Sequence, residues 1–310
     1  MQYHHTPVLL QEVLQGLCPQ PNQNFIDGTV GGGGHATAIL QVTAPYGQLL
    51  AFDKDEQALQ AARHNLKAFG KRVTFVKDSY ANLEPHIQAA GWTHANGILL
   101  DLGLSSDQLA DSSRGFSFQI EAPLDMRFDI TTGQTAADIL NQASDHDLEK
   151  IFRDFGEEPK ARILARTIVA TRKIHPFITT TDFLNIILSV KKNNPRSLHP
   201  ATLPWQALRI AVNKEFDEVT LGLNAAINTL LVGGRLAVIS FHSGEDRIVK
   251  NIFNHEAKDC WCPLQIPVCV CKHKARLKLL NRKPMVATAL ELQHNARARS
   301  AKLRISEKIF

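Results

Sequence analysis

Five short apolar runs constrain this chain more than anything else in its sequence: "NFIDGT", "GQLLAFD" (47–53), "RVTFVKD" (72–78), "GILLDLG" (97–103) and "GGRLAVISF" (233–241). Most are apolar at consecutive rather than alternate positions, the pattern of a strand covered on both faces. The first four end in acids: Asp27, Asp53, Asp78 and Asp101. Helical signals lie between them. "HATAILQV" is a short helix, and Asp55 caps a segment in which Leu59, Ala62, Leu66 and Phe69 recur at helical spacing. Strands alternating with helices predict an α/β fold built on a parallel, doubly covered sheet.

The alternation breaks after about residue 106. "SSRGFSFQIEAPLDMRFDITTGQ" is irregular, and the signals from Thr135 to about Asn193 are helical, with Thr135, Ser144 and Thr181 available as caps. Alternation resumes with "WQALRIAVNKEFDEVTLGLNAAINTLL" (205–231), which reads as one long amphipathic helix, then a strand, a helix, and a closing strand in "AKLRISEKI". The expected organisation is a first sheet part at 1–106, an inserted all-helical domain at 107–204 and a second sheet part at 205–310.

Four glycines, Gly31 to Gly34, follow the first strand directly. A glycine turn at that place forms the nucleotide crevice of such sheets. Gly31, Gly33 and Ala36 formally satisfy the dinucleotide pattern, which keeps an NAD(P)-linked oxidoreductase in view. Asp27 argues against it, because a carboxylate before the glycines repels a pyrophosphate. Asp53 lies about 20 residues beyond them, where an acid accepts ribose hydroxyls. A crevice ringed by carboxylates suits a nucleoside with a cationic end, and S-adenosylmethionine has a sulfonium, an ammonium, a ribose and no phosphate.

The blocks "HTPVLLQEVL", "FIDGTVGGGGHA", "LAFDKD", "GILLDLGLSSDQL", "RGFSF", "PLDMRFD", "SFHSGEDRIVK", "NRKP" and "NARARSAKLRISE" run in order through the chain. Together they resemble the ribosomal RNA small-subunit methyltransferase H family, also called MraW. The resemblance implies a class I (Rossmann-like) S-adenosylmethionine-dependent methyltransferase sheet carrying an inserted helical domain for substrate recognition. It implies methylation of a cytidine N(4) in the decoding region of bacterial 16S ribosomal RNA. By motif, it implies that Gly33, Gly34 and His35 contact the methionine part of the cofactor, Asp53 the ribose and Tyr80 the adenine, with Asp101 and Gln108 completing the site. The implied partner is 16S rRNA within the 30S subunit, and a homodimer stays open.

The cytosine amine is a poor nucleophile, so the protein must align it, accept its hydrogen bond and take its proton. Many amine methyltransferases use an Asn/Asp-Pro-Pro-aromatic motif after the fourth strand; this chain has "DLGLSS" there. The catalytic candidates are Asp101 and His242, the latter equally readable as a structural histidine in a turn. Phe116 and Phe118 beside Arg114 either stack on an extruded base or pack the domain.

Net charge is +5, which permits a polyanionic partner without demanding one. Lys272 to Lys308 carries eleven Lys or Arg against Glu291 and Glu307. A second basic group lies in the insert: Arg153, Lys160, Arg162, Arg166, Arg172, Lys173, Lys191, Lys192 and Arg196. These charges also fit a non-enzymatic RNA-binding protein, the third reading. "CWCPLQIPVCVCKHK" brings together Cys260, Cys262, Cys269 and Cys271. Four thiolates on one short loop can hold Zn²⁺ or remain ordinary thiols, and the resemblance calls for no metal. No apolar run approaches the roughly 20 residues that span a bilayer, and "MQYHHTPVLL" lacks the pattern of a signal peptide. The expected place is therefore the cytoplasm.

Overall fold

The computed structural model describes residues 7–104, 111, 113–192, 198–263 and 268–310. The chain divides into two compact units, one made of residues up to Gly103 together with Phe216–Phe310, the other of Leu104–Glu215.

The first unit opens with α1 (Leu10–Leu17), β1 (Phe25–Asp27), α2 (Gly34–Val42), β2 (Leu49–Asp53), α3 (Glu56–Asn65), β3 (Val73–Lys77), α4 (Leu83–Ala89) and β4 (Ala95–Asp101). The helices that make up the second unit follow: α5 (Ala136–Gln142), α6 (Asp145–Lys150), α7 (Ala161–Thr171), α8 (Thr180–Val190) and α9 (Thr202–Asn213). The chain returns with α10 (Glu215–Thr229), β5 (Leu230–Ser240), α11 (Ser243–Glu256), β6 (Leu277–Leu279), α12 (Ala289–His294) and β7 (Lys302–Lys308). Among the described residues no helix is long and apolar enough to cross a membrane.

The sheet order is β3-β2-β1-β4-β5-β7-β6. The first five strands are parallel, and β7 lies antiparallel between β5 and β6. This is the expected Rossmann-like sheet interrupted by a helical insert. Chain order reverses at β1, which pairs with β2 on one side and β4 on the other, so the switch-point crevice opens at their carboxyl ends. The apolar strands are buried on both faces: one layer gathers Phe25, Leu49, Leu99 and Ile239, the other Ile26, Leu50, Ile98 and Val238. Phe25 sits opposite Gly97 in the register of β1 and β4. A β-carbon at Gly97 would run into the Phe25 ring, so the glycine gives the ring its space.

The helical unit is held by caps and aromatic packing. Thr135 and Asp138, and Thr179 and Asp182, form reciprocal capping boxes at α5 and α8, and Ser144 caps α6. The cap of α8 is Thr179 rather than Thr181. Phe183 lies between Phe152 (centroids 6.1 Å apart) and Trp205 (5.2 Å). Phe116 is buried against Phe128 with Arg114 over its ring. The Arg114 Nη2 donates to the carbonyls of Arg127 and Phe128. Phe116 is thus a core residue, not a base-stacking one. Phe118 stacks on His199 at 4.7 Å.

Two expectations are corrected. Residues 205–231 are not one helix: Lys214 takes a left-handed φ of 52° and separates α9 from α10. The cause is a knot of polar contacts. Asn213 Nδ2 donates to Met126 O and Arg209 O, its Oδ1 accepts from Phe128 N, and Arg209 pairs with Glu215. For the same reason α9 belongs to the helical unit, so the unit ends at 215 rather than 204; at its other end it begins at 104, where 107 was expected.

Gly97→Ala should lower stability by about 1–3 kcal/mol through overpacking against Phe25. Urea denaturation reads this as a lower midpoint at unchanged slope; an unchanged midpoint would show that the Phe25 ring has room to move.

Candidate functional site

Three strand ends, those of β1, β2 and β4, build the site. β1 ends in Asp27, 1% exposed, whose Oδ1 accepts from Thr29 N at 3.1 Å. The chain then turns through residues 28–33 into α2. Val30 N donates to Phe52 O at 2.8 Å, and Gly31 N donates to Asp53 Oδ2 at 3.0 Å. Both bonds lay the turn against β2. The second Asp53 oxygen accepts from Asp55 N at 2.9 Å. On the other side Asp101 N donates to Thr29 Oγ1 at 2.6 Å, which fastens the turn to β4. Gly33, just before α2, has φ +83°, a left-handed conformation that glycine adopts without strain. Gly34 is a glycine for packing, since a β-carbon would stand 2.6 Å from Pro7 Cγ.

The electrostatics follow from burial. Burial lifts the Asp27 carboxyl to about 7, against the bond from Thr29 N–H and with a smaller push from Asp53. Burial also lifts Asp53 to about 6, against the backbone donors Asp55 and Gly31. Asp101 is pushed well above the usual carboxylate range by burial first, then by Asp27 and by Glu245. His35 Nε2 lies 3.7 Å from Asp101 Oδ2. Among the described residues no lysine or arginine pairs with Asp27, Asp53 or Asp101; the neighbouring Lys54 is taken by Glu218 at 2.7 Å. Three acids held together in a low dielectric, with His35 beside Asp101 and no lysine or arginine paired to them among the described residues, form a receptor for a cation. A pyrophosphate is the wrong guest. The Gly31 N–H that a glycine turn would offer a phosphate is already given to Asp53, and two more acids flank it. The carboxylates therefore fit a nucleoside with a cationic end and not a dinucleotide. Asp53 keeps acceptor capacity beyond these backbone donors for a ligand hydroxyl.

Gly33, Gly34, His35, Asp53 and Asp101 thus lie along this turn and the strand ends beside it. Tyr80 follows β3, is 9% exposed, and packs in the core with its ring against Gly222 of α10, where a β-carbon would collide with it. Gln108 lies outside the described residues. Asp78 is not part of the group. Although burial opposes it, bonds from His86 (2.8 Å), Asn82 and Ser79 N hold its carboxyl below the usual value.

His242 is the N-cap of α11: its Nδ1 accepts from Glu245 N at 3.4 Å, and Nε2 stands 2.9 Å from Glu245 Oε1. Its ring is thereby turned against a buried carboxylate at the start of α11. Glu245 is the residue that the sequence reading missed. It is 1% exposed, accepts from Phe241 N at 2.8 Å and raises Asp101. Its signal was the capping spacing of an acid three residues after His242.

A family model described as "MraW methylase family" matches residues 2–309. Curated relatives carry the name "Ribosomal RNA small subunit methyltransferase H". One from Thermomicrobium roseum is 47% identical over 98% of this chain and 94% of its own length. One from Heliobacterium mobile is 46% identical over 100% of both. One from Trichlorobacter lovleyi is 44% identical over 99% of both.

The raised carboxyls give a pH signature. Folded values above the unfolded value near 4 mean that the folded protein binds protons that the unfolded chain has lost. Its stability therefore falls as pH rises from about 4 towards 7, the value of Asp27. A cationic ligand needs the ionised acids, so its binding runs the other way. Affinity for S-adenosylmethionine should rise between pH 5.5 and 8, as Asp53 and Asp27 ionise around 6 and 7, by up to about tenfold per unit for each group still protonated. Calorimetry in buffers of different ionisation enthalpy would show proton release on binding; a flat profile would remove these acids from the ligand.

Proposed function

This chain belongs to the MraW methylase family, and on that premise we propose that it methylates the N(4) amine of a cytidine in the decoding region of bacterial 16S ribosomal RNA, with S-adenosylmethionine as methyl donor. The observation that carries the chemistry is the convergence of Asp27, Asp53 and Asp101 on a glycine turn with no lysine or arginine partner among the described residues. Asp53 takes the ribose hydroxyls, Asp27 balances the ammonium, and the turn at Gly33 and Gly34 with His35 lies along the methionine part. Tyr80 lies beside the adenine, and Gln108 completes the site. When bound, S-adenosylmethionine supplies a methyl group on a positively charged sulfur.

The remaining chemistry belongs to the protein. Asp101, at the end of β4, accepts the hydrogen bond of the cytosine amine, which keeps electron density on nitrogen. Its carboxyl is raised by burial and by Asp27 and Glu245, so it holds a proton firmly once it has one; to take the proton released by the amine it must first be ionised, which the positive charge of the bound cofactor favours. The balance is simple: the nitrogen gains a methyl and loses a proton, and the sulfur loses its charge. His242 acts through Glu245, by fixing the start of α11 beside the site, rather than as the primary base.

The helical unit and the basic C-terminal segment are the RNA-recognising parts. In the insert Arg162, Arg166, Lys173 and Lys192 are exposed. Arg172 caps the end of α5 through Leu140 O and Ala143 O, and Lys191 pairs with Glu158. Near the end of the chain Arg304 and Lys302 pair with Asp246 and Arg276 with Glu256, while Lys272, Lys274, Lys278, Arg282, Lys283 and Arg299 are exposed. The exposed set supplies phosphate contacts, which give affinity and register rather than sequence choice. The substrate is the RNA within the assembled 30S subunit, and the protein works in the cytoplasm. A homodimer is compatible with this reading and adds nothing to it.

Labelled methyl transfer to 30S subunits and to naked 16S RNA, with the modified base mapped, tests the reading; no incorporation into either would end it. Asp101→Asn should lower kcat by about 10²–10³ and leave cofactor affinity within about tenfold. His242→Asn, which can still cap α11, should keep most turnover. A His242→Asn loss as deep as that of Asp101→Asn would make the histidine the base after all.

A further inference from the structure

Four cysteines that methyl transfer does not use stand between α11 and β6. Their sulfurs all lie within 4.8 Å of one another. Cys260 and Cys269 are 3.4 Å apart, Cys269 and Cys271 3.5 Å, Cys271 and Cys260 3.8 Å, and Cys262 and Cys269 4.0 Å. Four thiolates around one zinc at a Zn–S bond of about 2.3 Å form a tetrahedron with edges of about 3.8 Å. The observed spacings bracket that edge. They do not describe two disulfides, because Cys269 is near three sulfurs rather than bonded to one. Backbone donors point at the sulfurs as they do around bound thiolates: Trp261 N at Cys271, Cys262 N at Cys260 and Val270 N at Cys262, each at 3.3–3.4 Å. The base of the loop is tied. Ala275 N donates to Asp259 Oδ1 at 3.1 Å, and Trp261 stacks on His255 at 4.5 Å while its Nε1 donates to His255 O.

We propose that Cys260, Cys262, Cys269 and Cys271 hold one structural Zn²⁺ in a closed tetrahedral site. Four thiols give up their protons and one Zn²⁺ takes the four thiolates, so the assembly carries two negative charges. The exposed Lys272 and Lys274, and Lys258 over the Trp261 ring, are the cations beside it. Four protein ligands leave no open position, so the ion does no chemistry on a substrate. The topology agrees. β5 ends level with Asp101, α11 runs back along the sheet, and β6 starts from the far end, parallel to β5 through their shared partner β7. The cysteine loop therefore leaves the sheet at the end opposite Asp27, Asp53 and Asp101. The site sets the shape of a basic loop, independently of the methyl-transfer reading.

The test is metal analysis of the full-length protein, made in zinc-supplemented medium and purified under reducing conditions without chelator. About one zinc per chain is expected, and cobalt(II) exchange should give the visible absorption of tetrahedral thiolate coordination. The double variant Cys262→Ser/Cys269→Ser should fall below about a tenth of a zinc per chain while binding S-adenosylmethionine as the parent does. Should that variant not fold, the metal content and cobalt spectrum of the parent decide. Less than about a tenth of a zinc in the parent with no uptake by the reduced protein, disulfides found by mass mapping, or zinc retained in the double variant would each overturn the proposal.

Discussion

The hydrogen bond from Gly31 N–H to the Asp53 carboxylate is the contact on which the site depends. It pins the glycine turn to the end of β2, and it removes the donor that such a turn would otherwise give a phosphate. With Thr29 accepting from Asp101 N on the opposite side, the turn is stretched between β2 and β4 with β1 beneath it. That geometry requires the order β2-β1-β4, which is the switch point of the sheet. Once the order is set, three acids come together in a place that water leaves, and no lysine or arginine among the described residues balances them. Selectivity for a cationic nucleoside follows from where the strands end.

The two units draw their order from different physical sources. The sheet unit draws its rigidity from strands covered on both faces, and rigid strand ends hold charged groups in place against their own repulsion. The helical unit draws its order from capping boxes and stacked rings. Caps and rings orient helices firmly and leave the outer faces free for charge, such as the exposed Arg162, Arg166 and Lys173.

The strands and the glycine turn were legible because their signals are local: continuous apolar runs, terminal acids, and glycines that no helix tolerates so many of. The carboxylate cluster was legible as positions, but the separation of Asp78 from the others was not. His86 and Asn82 satisfy it through contacts across a turn, which no strand-end rule anticipates. The break at Lys214 was hidden because apolar periodicity runs through it. It arises from the Asn213 side chain reaching Met126 and Phe128, far away in sequence. Phe116 was readable as either a stacking or a packing residue, and only the fold of its own unit decides, with Phe128 against it and Arg114 above. Glu245 escaped because it looked like an ordinary helix-start acid, and its burial beside the strand ends is a tertiary fact.

The strand order also has a consequence for biosynthesis. β3, β2, β1 and β4 are consecutive in the chain and complete by Asp101, whereas β5, the partner on the free side of β4, starts only at Leu230. A nascent chain therefore carries half a sheet with an open, apolar edge while the whole helical unit is being translated. Such an edge invites pairing with other strands. The finished protein ends instead on β6, a three-residue strand too short to template another chain. The helical unit acts in this sense as a delay between two halves of one sheet, and chaperone dependence should concentrate in that interval.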